Sequence, residues 1–159
     1  MMDFDTAFHT LLKHEGGFSD HAADPGGKTR YGITEAVARE VGYRGDMREL
    51  PLDLAKRIYK DRYWDAVRAD ELPEAVRYAV FDAAVNSGPR QAALWLQRAV
   101  GVKDDGIIGP VTLAAVRAAD PEQLVRRVLA QRLRFMAGLP NWPAFGRGWA
   151  RRIADLMEM

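Results

Sequence analysis

The sequence contains no cysteine, which excludes disulfide stapling and thiolate metal sites and leaves helix packing as the source of stability. It has three histidines; His9, His14 and His21 do not share a face with carboxylates at ligand spacing, so no metal is expected. No stretch approaches the roughly 20 apolar residues of a membrane span, so no membrane insertion is expected. The first residues, Met1-Met2-Asp3-Phe4-Asp5, carry neither a basic leader nor an apolar run, and no signal peptide is expected. There is no internal repeat, low-complexity tract or flexible linker.

Several cofactor and catalytic motifs are also missing. Gly27-Lys28-Thr29 resembles the end of a phosphate-binding loop, but the first glycine of that motif would fall at Ala22 and no strand precedes it. His14-Glu15 resembles the opening of a zinc-protease helix, but the second histidine would fall at Phe18. A nucleophile elbow is lacking as well. The chain is therefore expected to work without a cofactor.

What is present is the balance of a compact globular protein: 159 residues, 48% hydrophobic and 28% charged. That length suits one domain, or a domain with a small helical annex. Net charge is +1, unevenly spread. From Arg117 to Arg152 there are eight arginines against two acids, Asp120 and Glu122. Such a segment reads first as a solvated helix face and second as a surface for an anionic polymer. It carries no nucleic-acid-binding motif, so nucleic acid is not expected as a partner.

Helical periodicity dominates, and the fold class is all-α with a short loop or β-hairpin after the first helix. Phe4, Phe8, Leu11 and Leu12 form one face of a helix that stops at Gly16-Gly17. Residues 18–33 have no helical pattern. Thr34 then caps a short helix ending at Gly42. A helix is expected from Pro51 through Ile58, Tyr59, Tyr63 and Trp64. Residues 73–87 are apolar on nearly all sides, as in a buried central helix. Gly88-Pro89 opens another helix to Gly101. A glycine-rich turn, Asp104 to Gly109, leads into a short helix at Pro110. Asp120-Pro121 starts a long one ending near Gly138, and an amphipathic helix closes the chain.

Glu15 lies four residues after Leu11 and three after Leu12, on the apolar stripe of the first helix. Desolvation there, together with the negative end of the helix dipole, is expected to raise its pKa. A carboxyl kept protonated near neutral pH can protonate a glycosidic oxygen. Gly16-Gly17 removes side chains that would block a polymer. Asp24 and Thr29 in the following loop supply polar groups able to position water or stabilise developing positive charge. Tyr31, in a glycine-flanked loop beside them, is a candidate sugar contact. Tyr63, Trp64, Trp95, Trp142 and Trp149 read first as core, and Asn86 as a helix cap.

Glu15-Gly16-Gly17-Phe18, Asp24-Pro25-Gly26-Gly27-Lys28-Thr29 and Tyr31-Gly32-Ile33-Thr34 resemble the signature of family 108 glycoside hydrolases, the N-acetylmuramidases of phage endolysins and of proteins once labelled secretion activators. Tyr59, Tyr63-Trp64-Asp65 and Phe81-Asp82-Ala83-Ala84-Val85-Asn86-Ser87-Gly88 are similar to the rest of that catalytic region. Leu96-Gln97-Arg98-Ala99-Val100-Gly101 and Asp105-Gly106-Ile107-Ile108-Gly109-Pro110-Val111-Thr112-Leu113 resemble the peptidoglycan-binding module that follows it.

The resemblance implies a lysozyme-like helical fold, with a muramidase region at 1–88 and a peptidoglycan-binding region at 89–159 packed as one unit. It implies cleavage of the β-1,4 bond between N-acetylmuramic acid and N-acetylglucosamine. Glu15 would be the general acid, Asp24 and Thr29 further catalytic residues, and Tyr31, Gly32, Thr34, Tyr63 and Asn86 substrate contacts. The expected partner is the glycan strand of peptidoglycan, met by a monomer made in the cytoplasm and reaching the wall by export or a holin-type helper. Two alternatives stand beside this: a lytic transglycosylase, and a non-catalytic wall-binding or secretion factor.

Overall fold

The structure, a computed structural model, describes residues 1–14, 17–20 and 27–159 in full and Glu15 in its backbone only. It is mainly α-helical. Helix α1 (Phe4–Glu15) precedes a small antiparallel hairpin, β1 (Thr29–Arg30) and β2 (Ile33–Thr34), joined in the register Thr29↔Thr34 and Arg30↔Ile33. Then come α2 (Glu35–Glu40), α3 (Leu52–Tyr59), α4 (Glu74–Ser87) and α5 (Pro89–Val100). Helices α6 (Pro110–Ala118), α7 (Pro121–Ala137) and α8 (Trp142–Met157) complete the chain.

Two helix starts follow directly from side-chain capping. Thr34 is extended (φ −75°, ψ 156°) and its hydroxyl accepts from the Val37 amide, which starts α2. Asp120 caps α7 in the same way through the Gln123 amide, with Pro121 in the first turn. The helix expected from Pro51 to Trp64 takes a different course. After Tyr59 the backbone widens into a π-helical turn, Lys60–Trp64, in which the Asp65 amide reaches back to the Lys60 carbonyl at 2.9 Å. One extra residue per turn shifts the faces that follow. Trp64 is thereby fully buried, with its indole N–H on Asp70 at 2.9 Å.

Helix α4 is the centre of the molecule and packs against α1, α5 and α7. Phe81, fully buried, meets the rings of Phe4 at 6.1 Å and Trp64 at 5.3 Å. Burying a side chain of that size stabilises by about 1.5–3 kcal/mol. Trp64 and Trp95 are core, as their helical spacing suggested, while Trp142 and Trp149 are half-buried against each other at 5.9 Å.

The core also holds charge. Asp82 is fully buried and binds the guanidinium of Arg132, itself fully buried, at 2.6 Å, and that of Arg152 at 2.8 Å. The basic segment read first as a solvated face is therefore divided, because two of its arginines point inward to balance a carboxylate on α4. Burial pushes the Asp82 carboxyl up, but the charges and hydrogen bonds of Arg152 and Arg132 outweigh it and hold the group below the usual aspartate value. Burial pulls Arg132 the other way, lowering its pKa against the pull of Asp82. The carboxylate governs the acid behaviour of the pair, since a guanidinium stays protonated.

Gln97, buried on α5, organises the glycine-rich turn. Its amide nitrogen donates to Asp105 and to the Ile107 carbonyl, both at 2.9 Å, and its carbonyl accepts from the Gly106 amide at 2.9 Å. Gly106 has φ 79°, a backbone conformation that L side chains rarely adopt, so the turn favours glycine.

Candidate functional site

The buried stripe Phe4, Phe8 and Leu11 fixes the axis of α1. Phe8 meets the Tyr59 ring at 5.6 Å, which ties α1 to α3. The helix ends at Glu15, with Lys13 and His14 in its last turn. His14 Nδ1 stands 4.0 Å from an Asp155 carboxylate oxygen on α8, so the last turn of α1 also leans on the C-terminal helix. The side chain of Glu15 lies outside the described residues, as do Gly16 and the segment 21–26 with Asp24.

The hairpin begins three residues after residue 26. Thr29 exchanges both main-chain hydrogen bonds with Ser19, at 2.9 and 2.7 Å, so the chain leaving α1 is laced to β1. Tyr31 and Gly32 form the two-residue turn, and both have positive φ, 52° and 77°. That is the pattern of a type I′ hairpin turn, whose first position usually holds Asn, Asp or Gly. A tyrosine there costs on the order of 1–2 kcal/mol. Two contacts hold it: the Tyr59 hydroxyl donates to the Tyr31 carbonyl at 2.5 Å, and the Arg30 guanidinium lies 4.5 Å over the Tyr31 ring while donating to its hydroxyl at 3.0 Å.

Arg30 is the site residue that the sequence reading passed over, although it stands between two residues that were named. A Cβ built on Gly17 would lie 4.0 Å from Arg30 Nη1, so this guanidinium reaches the chain just beyond the end of α1. Its Nε is buried without a hydrogen-bond partner. No carboxylate pairs with it among the described residues. The arrangement brings a half-buried cation, an aromatic ring and the C-terminal end of α1 into one place.

Of the other expected contacts, Gly32 and Thr34 belong to the hairpin, and the Thr34 hydroxyl is engaged as the α2 cap. Tyr63 is half-buried in the π-helical turn, its ring 5.6 Å from that of Tyr59. Tyr59 thus touches both the hairpin turn and Tyr63. Asn86 is half-buried in the last turn of α4 and makes no hydrogen bond to the hairpin among the described residues.

Residues 8–88, which span the end of α1, the hairpin, the π-helical turn and α4, match glycosyl hydrolase 108. The chain belongs to that family. Residues 91–154 match a second family, described as "Predicted Peptidoglycan domain". Among solved structures, this glycosyl hydrolase 108 chain is similar to that of Brucella abortus SagA, with 37% sequence identity and a TM-score of 0.90, covering 98% of this chain and 91% of that one. No curated protein matches it. Together the two families give the chain a role in hydrolysing or binding peptidoglycan, and hence at the cell wall. Among the described residues no helix is long and apolar enough to cross a membrane.

Proposed function

We infer that this chain is an N-acetylmuramidase that hydrolyses the β-1,4 bond between N-acetylmuramic acid and N-acetylglucosamine, with Glu15 as general acid. The observation that carries this reading is the position of residue 15 at the C-terminal end of α1, on a helix anchored by Phe4, Phe8 and Leu11 and followed in element order by the hairpin with its Tyr31–Gly32 turn. A packed helix is a suitable support for an acid that must transfer a proton to a leaving oxygen. Gly17, two residues on from Glu15, adds no side chain to the approach.

Asp24 and Thr29 then position water or stabilise the oxocarbenium-like transition state. Tyr31 offers a ring for a sugar face, with Gly32, Thr34, Tyr63 and Asn86 as further contacts along the strand. Residues 89–159 hold the wall polymer while the first region cuts it, the two working as one packed monomer.

Digestion of purified sacculi followed by mass spectrometry of the muropeptides tests the reaction. Products with a reducing muramic acid end are expected. Products lighter by one water, the anhydro form, would make the chain a lytic transglycosylase, and tight binding with no product would make it a wall-binding factor.

A further inference from the structure

Residues of α5 and α7 line an open, shallow surface groove of about 470 Å³ that holds four arginines, Arg98, Arg126, Arg127 and Arg134, and no carboxylate. The rest of its lining is small or uncharged: Ala99, Ala130, Gln123 and Gln131. Two of the four are already engaged. Arg98 pairs with Asp104 at 2.9 Å, and Arg127 donates to the Ala99 carbonyl at 3.3 Å. Arg126 and Arg134 are exposed and have no hydrogen-bond or ion-pair partner among the described residues. Glu122, one helical turn before Arg126, makes no ion pair with it.

Arg126, Ala130 and Arg134 follow one another at four-residue intervals, so the two free guanidinium groups stand on one ridge of α7, about 12 Å apart along its axis. Like charges gathered in a groove repel, and a bound anion removes that cost. Guanidinium forks bind planar carboxylates through paired N–H donors. The groove lies wholly within the residues that match the peptidoglycan domain. The polymer that such a domain meets carries free carboxylates on its stem peptides, at the glutamate residue and at the terminal alanine, while its sugar backbone is uncharged where the lactyl groups are amide-linked.

We propose that the α5–α7 groove is a stem-peptide site in which Arg126 and Arg134 bind carboxylates of peptidoglycan. It rests on the muramidase reading for its ligand but stands on its own residues. The groove reads the peptides, and the end of α1 reads the glycan. The site therefore favours peptide-bearing strands over bare ones and loses affinity as salt rises.

The test is co-sedimentation with sacculi in the cold, in a Glu15→Gln background so that the polymer survives. Intact sacculi are compared with sacculi stripped of stem peptides by an amidase. Arg126→Gln/Arg134→Gln is expected to weaken binding to intact sacculi about tenfold, as the loss of one or two charge-assisted contacts does, and to leave binding to stripped sacculi unchanged. Equal binding by the variant and its parent to intact sacculi would overturn the proposal, and so would an equal loss on stripped sacculi. Competition by duplex DNA as effective as by soluble stem peptide would assign the groove to phosphate polymers and overturn it too. The same two arginine substitutions in the Glu15 protein should leave reducing-end release from a soluble, peptide-free glycan unaltered. Absence of reducing ends from the unsubstituted protein would sink the muramidase reading and leave the sedimentation result to judge the groove.

Discussion

The Tyr59 hydroxyl donates to the Tyr31 carbonyl at 2.5 Å, a bond between α3 and a hairpin turn 28 residues away that is held in an unfavourable backbone conformation. Tyr59 is otherwise packed against Phe8 of α1. One side chain thus sets the distance from the acid-bearing helix to the turn. Tyr59→Phe keeps the ring packing and removes only the tie. It is expected to cost about 1 kcal/mol of stability and to lower kcat on sacculi by more than the stability loss accounts for. Thermal unfolding together with turnover checks this, and unchanged turnover would disconnect the turn from the chemistry.

Tyr31→Gly separates strain from recognition. Glycine accepts φ 52° freely, so the midpoint of unfolding should hold or rise despite the lost ring. With the sugar contact proposed for this ring, worth about 1–1.5 kcal/mol, activity should fall about tenfold through KM. A drop in midpoint with KM intact would make Tyr31 a packing residue only.

Arg30→Gln removes the cation beside Gly17, which has no carboxylate partner among the described residues. The fold should persist, because the Tyr31 carbonyl still accepts from the Tyr59 hydroxyl, and KM for sacculi should rise several-fold while circular dichroism stays the same. An Arg30→Lys variant restores charge without the planar fork, and only partial rescue is expected.

Asp82→Asn breaks a buried pair and leaves Arg132 uncompensated, at a cost of about 3–5 kcal/mol. For a chain of this length that lowers the midpoint of unfolding by about 10 °C or more. The acid profile follows from the direction of the shift. The folded Asp82 pKa lies below its unfolded value of about 3.9, so its contribution is present above that pH and lost as pH falls through the folded value. Denaturant titrations below about pH 4 should show a steeper stability loss in the parent than in Asp82→Asn. Parallel slopes would mean that the carboxylate is not ionised in the core.

Much of the helical framework was legible in the residues, because its signals are local. Gly16-Gly17, Thr34, Gly88-Pro89, Pro110 and Asp120-Pro121 mark ends through capping and φ preference. The π-helical turn at Lys60–Trp64 has no such mark, since a shift from four-residue to five-residue hydrogen bonds leaves the composition unaltered. The Asp82 cluster was hidden for another reason: its partners lie 50 and 70 residues away, and Arg132 and Arg152 look like any other member of a basic run. At the site, the end of α1 and the hairpin were readable from glycines and helix period. Arg30 was not, because only the folded hairpin sets it over Tyr31 and against Gly17.

The most direct test of the account is Glu15→Gln, assayed for release of reducing ends from purified sacculi alongside thermal unfolding. Loss of a general acid alone costs on the order of 10²–10⁴-fold in rate, so the variant should unfold at the parent's temperature and release almost nothing. A folded Glu15→Gln protein that cuts glycan at the parent's rate would contradict the account.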